Sequence, residues 1–149
     1  MKRIYLDHIA AAPVDPGVLA EMRPFLETHY GNPQSLHSDG QLAAEAVDAA
    51  RESVAALLGA EAGEIVFTAS GTEANNLAIK GLAQAQKAKG NHLVVSAIEH
   101  ASVLNAVKTL ERSGFQATLV PVDGEGRVDP AEVARALRPE TILVSVMTA

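Results

Sequence analysis

Four short runs rich in branched aliphatic residues, at 64–68, 92–96, 115–122 and 141–147, are separated by segments whose apolar residues recur every three or four positions. That alternation is the strongest constraint on the fold. Strands joined through helices run parallel, because a parallel pair needs a long crossover, and the helices then cover the faces of the sheet. The segment 72–88 places Ala74, Leu77, Ala78, Gly81, Leu82 and Ala85 on one stripe and closes on Lys87, Lys89 and Gly90. The segment 101–112 does the same with Val103, Leu104, Val107 and Leu110, and closes on Gly114. After a turn at 123–126, Asp129-Pro130-Ala131-Glu132 opens a short helix that ends near Arg138-Pro139. The run 141–147 is apolar throughout, as expected of a strand buried on both faces. The expected architecture is α/β, a mostly parallel sheet with flanking helices.

The first 60 residues are mainly helical in pattern. Asp15-Pro16 opens one helix, and Ser38 or Asp39 opens a longer one that reaches Leu58-Gly59, with Leu42, Ala43, Ala46, Val47, Ala50, Val54 and Leu57 in helical period. A turn-rich loop, 30–35, lies between them. No linker separates two domains, so residues 1–149 read as a single domain, a helical segment over 1–60 followed by βα repeats over 61–149. The apolar run next to Thr148-Ala149 marks that domain as incomplete, since binding loops and the next crossover helix normally follow such a strand. The expectation is the front part of a longer protein.

Composition removes several function classes. The chain has no cysteine, hence no disulfide, Cys-ligated zinc or catalytic thiol of its own. Its net charge of −6 disfavours nucleic acid and anionic membrane as partners. No run approaches the ~20 apolar residues of a membrane span, and Asp7 and His8 interrupt the N-terminus before a signal-like segment develops, so a cytoplasmic location is expected. His8, His29, His37 and His92 show no ligand spacing, and no metal site is assigned; His92, at a strand start, reads as structural. None of the lysines has the apolar setting that lowers a Schiff-base lysine's pKa.

Two places can carry chemistry. Phe67-Thr68-Ala69-Ser70-Gly71-Thr72-Glu73 joins a strand to a helix through small residues. The unpaired N–H groups of such a helix start, aided by its dipole, hold phosphate, with Gly71 admitting close approach and Ser70 and Thr72 adding hydroxyls. The same spacing suits a capping box between Ser70 and Glu73. A Walker loop is absent. The second place is Glu99-His100, just past the strand 92–96, on the sheet edge where ligands of open α/β sheets bind. An imidazole there can stack on a planar ring or move protons, or it can simply be a solvated helix-start residue.

Read together, these segments resemble the N-terminal portion of a cysteine desulfurase, a fold-type I pyridoxal-phosphate enzyme of the class V aminotransferase group. Ile4-Tyr5-Leu6-Asp7-His8-Ile9-Ala10-Ala11-Ala12-Pro13-Val14-Asp15-Pro16 is similar to that family's YLDNAATTPVDP, and Gly31-Asn32-Pro33-Gln34-Ser35-Leu36-His37 to its GNPSSxH. Residues 68–76 resemble TSGGTEANN, and Ala97-Ile98-Glu99-His100-Ala101-Ser102-Val103 resembles TEHxAV. The match runs in order along essentially the whole chain. Two departures stand out: His8-Ile9-Ala10-Ala11-Ala12 for Asn-Ala-Ala-Thr-Thr removes hydroxyls, and Ala69-Ser70 replaces Ser-Gly in the phosphate turn, where backbone N–H groups still supply much of the binding.

The resemblance implies that the chain forms the N-terminal part of the large pyridoxal-phosphate domain. In it, Gly71 and Thr72, with Ser70 beside them, bind the cofactor phosphate, and His100 stacks on the pyridine ring and assists proton transfer. Asn32-Pro33 and the segment 7–12 would border the site, partly across a homodimer interface. The implied reaction converts L-cysteine to L-alanine and passes sulfur, as an enzyme persulfide, to an acceptor or scaffold protein of iron–sulfur cluster assembly. A selenocysteine lyase or other relative, or a non-catalytic interaction module of a truncated or split enzyme, is the alternative. The family's Schiff-base Lys, pyridine-nitrogen Asp, persulfide Cys and carboxylate-binding Arg lie beyond this stretch, so the 149 residues alone are expected to be inactive and to retain cofactor weakly or not at all.

Overall fold

The computed structural model describes residues 4–148. It forms two compact units, one up to Val66 and one from Phe67 onwards. In the first, helix α1 (Pro16–Glu27) begins where expected: the Asp15 carboxylate accepts from Gly17 N–H at 2.7 Å, and Pro16 supplies the preset φ of a first helical residue. None of its residues is buried, and Val18, Leu19, Met22, Phe25 and Leu26 lie exposed. Helix α2 (Ser38–Leu58) is capped by His37, whose Nδ1 accepts from Gly40 N–H, and ends on Gly59 in the left-handed region at φ 67°. The loop before α2 folds tightly onto its first turn. A Cβ on Gly31 would lie 2.2 Å from the Asp39 carbonyl oxygen, and one on Gly40 would lie 2.3 Å from that of Ser35, so only glycine fits at either position.

After α2 comes a 3₁₀ turn (Ala62–Glu64), the backbone is extended at Ile65, and residues 65–68 join no ladder. The strand expected over 64–68 is therefore absent. Its residues are β-formers, but a strand exists through a ladder of hydrogen bonds to a neighbouring strand, and among the described residues this run joins none; Val66 is 67% exposed.

The second unit is built as the alternation predicts. Helix α3 (Gly71–Ala85), strand β1 (His92–Ser96), helix α4 (Ala101–Glu111), strand β2 (Gln116–Val120), helix α5 (Pro130–Ala136) and strand β3 (Thr141–Ser145) follow in order. The sheet is parallel, ordered β2-β1-β3, with His92 opposite Gln116 on one side and Thr141 on the other. All five residues of β1 are buried. Ile79 and Ala83 from α3 and Val103, Ala106, Val107 and Leu110 from α4 close over Leu93, Val95 and Phe115 to form the core. Each large aliphatic side chain so buried contributes about 1.5–3 kcal/mol.

Two expectations for the strands need correction. The run 115–122 is a strand only over Gln116–Val120, because Phe115 N–H turns back to the Leu110 carbonyl and its ring enters the core, while Val122 forms an isolated bridge to Val128. The run 141–147 is a strand over Thr141–Ser145 and is not buried on both faces. Among the described residues it pairs with β1 alone, which leaves it at the sheet edge with Val144 47% exposed.

Candidate functional site

The N-terminus of α3 is organised by its own side chains. Ser70 Oγ accepts from Glu73 N–H at 3.2 Å, and the Glu73 carboxylate reaches back to Ala69 N–H at 2.8 Å. This differs from the expected box by one residue, since the carboxylate satisfies Ala69 rather than the cap residue itself. Thr68 Oγ1 donates to the Ser70 carbonyl. Capping and anion binding turn out to be compatible here: Ala69, Glu73 and Ala74 N–H groups have acceptors, whereas among the described residues none pairs with the N–H of Gly71 or Thr72. Both residues are exposed, and apart from its chain neighbours and the helix's own backbone no atom lies within 4 Å of where a Cβ on Gly71 would sit. An anion can approach these two donors from solvent.

His100 stands at the other end of the site. Strand β1 ends on the buried Ser96, whose hydroxyl donates to the buried Glu99 carboxylate at 3.0 Å, and Ala97 N–H bonds the Val120 carbonyl. This tight turn delivers His100 as the exposed N-cap of α4, its Nδ1 accepting from Ser102 N–H at 3.1 Å. The Ser102 hydroxyl is 2.8 Å from the same Nδ1, and Asn75 Nδ2 donates to that hydroxyl at 2.8 Å. Asn75 lies four residues after Gly71, one turn up α3, so a side-chain chain ties the phosphate-type helix start to the imidazole. Asn75 and His100 share a cleft of about 430 Å³ whose apolar wall includes Ile79, Leu82, Val103 and Leu143.

Ser70, Gly71, Thr72 and His100 thus belong to one unit, with Asn75 and Ser102 between them. Ser70, Gly71 and Thr72 do not line the cleft itself. Asn32-Pro33 and residues 7–12 fall in the first unit, where Asn32 Oδ1 accepts from Gln34 N–H and the Tyr5 and His8 rings meet edge to face. The sequence reading gave Asn75 and Ser102 no role. The available signals were the two-residue step from His100 to Ser102, which suits a helix cap, and the position of Asn75 one turn after Gly71. Among the described residues, no group of three His, Asp or Glu side chains is placed to hold a metal.

The class-V aminotransferase family model matches residues 4–149. The chain belongs to that family. Among relatives of this class-V chain, a protein named cysteine desulfurase IscS from Anaeromyxobacter sp. (strain K) is 54% identical over 147 residues, 98% of this chain and 36% of the relative. A solved structure titled NifS-like protein superposes with a TM-score of 0.91 at 38% identity, over 96% of this chain and 39% of that one. Another, titled SspA in complex with cysteine, gives 0.86 at 42% identity, over 94% and 40%. The chain therefore spans little more than a third of the length of these class-V proteins.

The residues present fit a phosphorylated planar cofactor. Two helix-start N–H groups without acceptors and the exposed Thr72 hydroxyl suit phosphate oxygens, and the exposed His100 ring suits stacking. Glu73, the nearest carboxylate in sequence, is held against Ala69 N–H.

Proposed function

We propose that this chain is the N-terminal portion of a pyridoxal-phosphate-dependent cysteine desulfurase, which converts L-cysteine to L-alanine and passes the sulfur on as an enzyme persulfide for iron–sulfur cluster assembly. The supporting observation is the pairing, in one unit of a class-V chain, of an open helix N-terminus at Gly71-Thr72 with an exposed imidazole at His100, linked through Asn75 and Ser102. Pyridoxal phosphate, when bound, supplies an electron-withdrawing ring that weakens bonds at the α-carbon of an amino acid. Gly71 and Thr72 N–H groups and the Thr72 hydroxyl hold the phosphate, with the Ser70 hydroxyl beside them. His100 packs on the ring face and assists proton transfer.

Residues 1–149 are, on this reading, one incomplete domain. The persulfide-forming thiol belongs to the rest of the protein, since this chain has no cysteine. The whole enzyme is a cytoplasmic homodimer that hands sulfur to an acceptor or scaffold protein. Among the described residues no helix is long and apolar enough to cross a membrane.

The test is a titration of the ¹⁵N-labelled 149-residue chain with pyridoxal phosphate and, separately, with pyridoxal. The amides of Gly71 and Thr72 shift with the phosphorylated compound only. Equal responses to both overturn the phosphate assignment, and no response at either amide places cofactor retention in residues outside this chain. The purified chain releases no alanine from L-cysteine, and release would show that the chemistry does not require residues outside it.

A further inference from the structure

The backbone N–H and the hydroxyl of Ser102 both contact His100 Nδ1, while Nε2 has no hydrogen-bond partner among the described residues. The Ser102 backbone N–H can only donate, so the nitrogen it meets at 3.1 Å carries a lone pair and no proton. The Ser102 hydroxyl, 2.8 Å from the same nitrogen, is itself an acceptor for Asn75 Nδ2 at 2.8 Å, so its own proton is free to turn towards Nδ1. Two hydrogen bonds therefore run in one direction, from the Asn75 amide to the Ser102 hydroxyl and from that hydroxyl to the accepting Nδ1 of His100. The Ser102 residue is buried at 8% exposure, which fixes its place in that line, and His100 is exposed.

We propose that Asn75 and Ser102 are positioning residues that hold the neutral His100 ring in a single tautomer, with its proton on Nε2. Helix capping requires one acceptor at Nδ1 and is met by the Ser102 N–H alone. The hydroxyl and the amide go beyond that need, and they bias the ring in the same sense. The consequence for a ligand is specific: the one open nitrogen of neutral His100 is a hydrogen-bond donor and not a base. An acceptor atom on a ring stacked against His100, or on a substrate beside it, is matched, whereas a proton taken up by the ring must enter at Nδ1 after Ser102 lets go. Asn75 also makes the state of the imidazole depend on the seating of α3, the helix whose first turn holds the phosphate. This inference rests on the reading of His100 as a site residue, but the ring's proton position is measured without any cofactor.

The experiment is long-range ¹H–¹⁵N correlation of the His100 ring in the 149-residue chain, above the pH at which histidine is charged. Wild type shows Nδ1 at an acceptor-type shift and Nε2 at a protonated one. Ser102→Ala keeps the backbone N–H but removes the hydroxyl, and the ratio of the two tautomers falls roughly fivefold, the effect of one ordinary hydrogen bond. Asn75→Ala gives a smaller change in the same direction, and Ser102→Thr restores the wild-type pattern. Far-UV circular dichroism identifies any variant that has lost its helices. A wild-type ring that is averaged or protonated at Nδ1 overturns the proposal, as does a folded Ser102→Ala variant with unchanged ring shifts. Neither result bears on the phosphate titration, so the two readings fail separately.

Discussion

His92 is the most informative residue to perturb, because it is fully buried at the start of the central strand and bonds both neighbours. Its Nδ1 lies 2.8 Å from Thr141 Oγ1 on β3 and its Nε2 lies 2.9 Å from Thr118 Oγ1 on β2. Replacement by leucine, of similar volume, deletes both bonds. At about 0.5–1.5 kcal/mol each the loss is about 1–3 kcal/mol. It stays near 2 because neither threonine is orphaned: Thr141 Oγ1 still accepts from Arg138 N–H at 2.7 Å, and Thr118 Oγ1 from the Arg138 guanidinium at 3.4 Å. The pH dependence is diagnostic. Burial, and then the Arg138 guanidinium, pull the His92 pKa below its ordinary value, with Glu140 opposing. Below the imidazole's usual pKa of about 6.5 the unfolded chain takes up a proton that the folded one refuses, so this contribution is complete at higher pH and is lost on acidification. The slope reaches at most about 1.4 kcal/mol per pH unit. Since the chain has no tryptophan, urea unfolding is followed by far-UV circular dichroism. Near neutrality His92→Leu lowers the midpoint by about 1 M, for a loss of about 2 kcal/mol and a typical urea slope. The gap to wild type narrows towards pH 5. A gap that stays constant with pH, or no gap at neutrality, would refute the account of a buried neutral imidazole tying three strands.

Substitutions at two further positions probe local geometry. Gly90→Ala puts a Cβ 2.1 Å from the Glu140 carbonyl oxygen, a backbone atom with no rotamer to yield, and lowers the melting temperature by about 5–15 °C; an unchanged melt would mean the two segments part at no cost. Ser70→Ala removes the acceptor for Glu73 N–H and destabilises by about 1 kcal/mol, while Ser70→Asp, which keeps a capping oxygen, stays near wild type in the same denaturant titration.

Much of this fold could be read from local chemistry. The Asp15-Pro16 and Asp129-Pro130 starts and the Gly59 stop are set by groups within a turn of each other, so pattern alone places α1, α2 and α5 to within a few residues. Strand β1 was equally plain, and its five buried residues reflect its central position. Two of the differences share one cause. The run 64–68 and the run 141–147 have the composition of strands, but whether each is paired, and on how many sides, depends on segments distant in sequence. Among the described residues the first joins no strand ladder and the second pairs with β1 alone. For the candidate site, Ser70 and Gly71 could be placed at a helix start from spacing. The contact of Asn75 with Ser102 spans 27 positions and has no local signature.

The same limit explains why two histidines at opposite ends of one strand part company. His92 lies in the β1 run and His100 just past it, and the partners of His92 stand 26 and 49 positions away in sequence, where no local signal reveals them. His92 is matched on both nitrogens by threonines that arrive from β2 and β3, which consumes its hydrogen-bonding capacity inside the sheet and favours the neutral ring. His100 is matched on one nitrogen, by a serine two residues away, and its other nitrogen faces no protein group among the described residues. A ring with both nitrogens occupied can hold strands together but has nothing left for a ligand. One with a single nitrogen fixed and the other open has a defined orientation and a spare donor, which is the condition a binding residue must meet. The number of ring nitrogens satisfied from within the fold therefore separates the structural histidine from the candidate site histidine, and it is set by tertiary contacts.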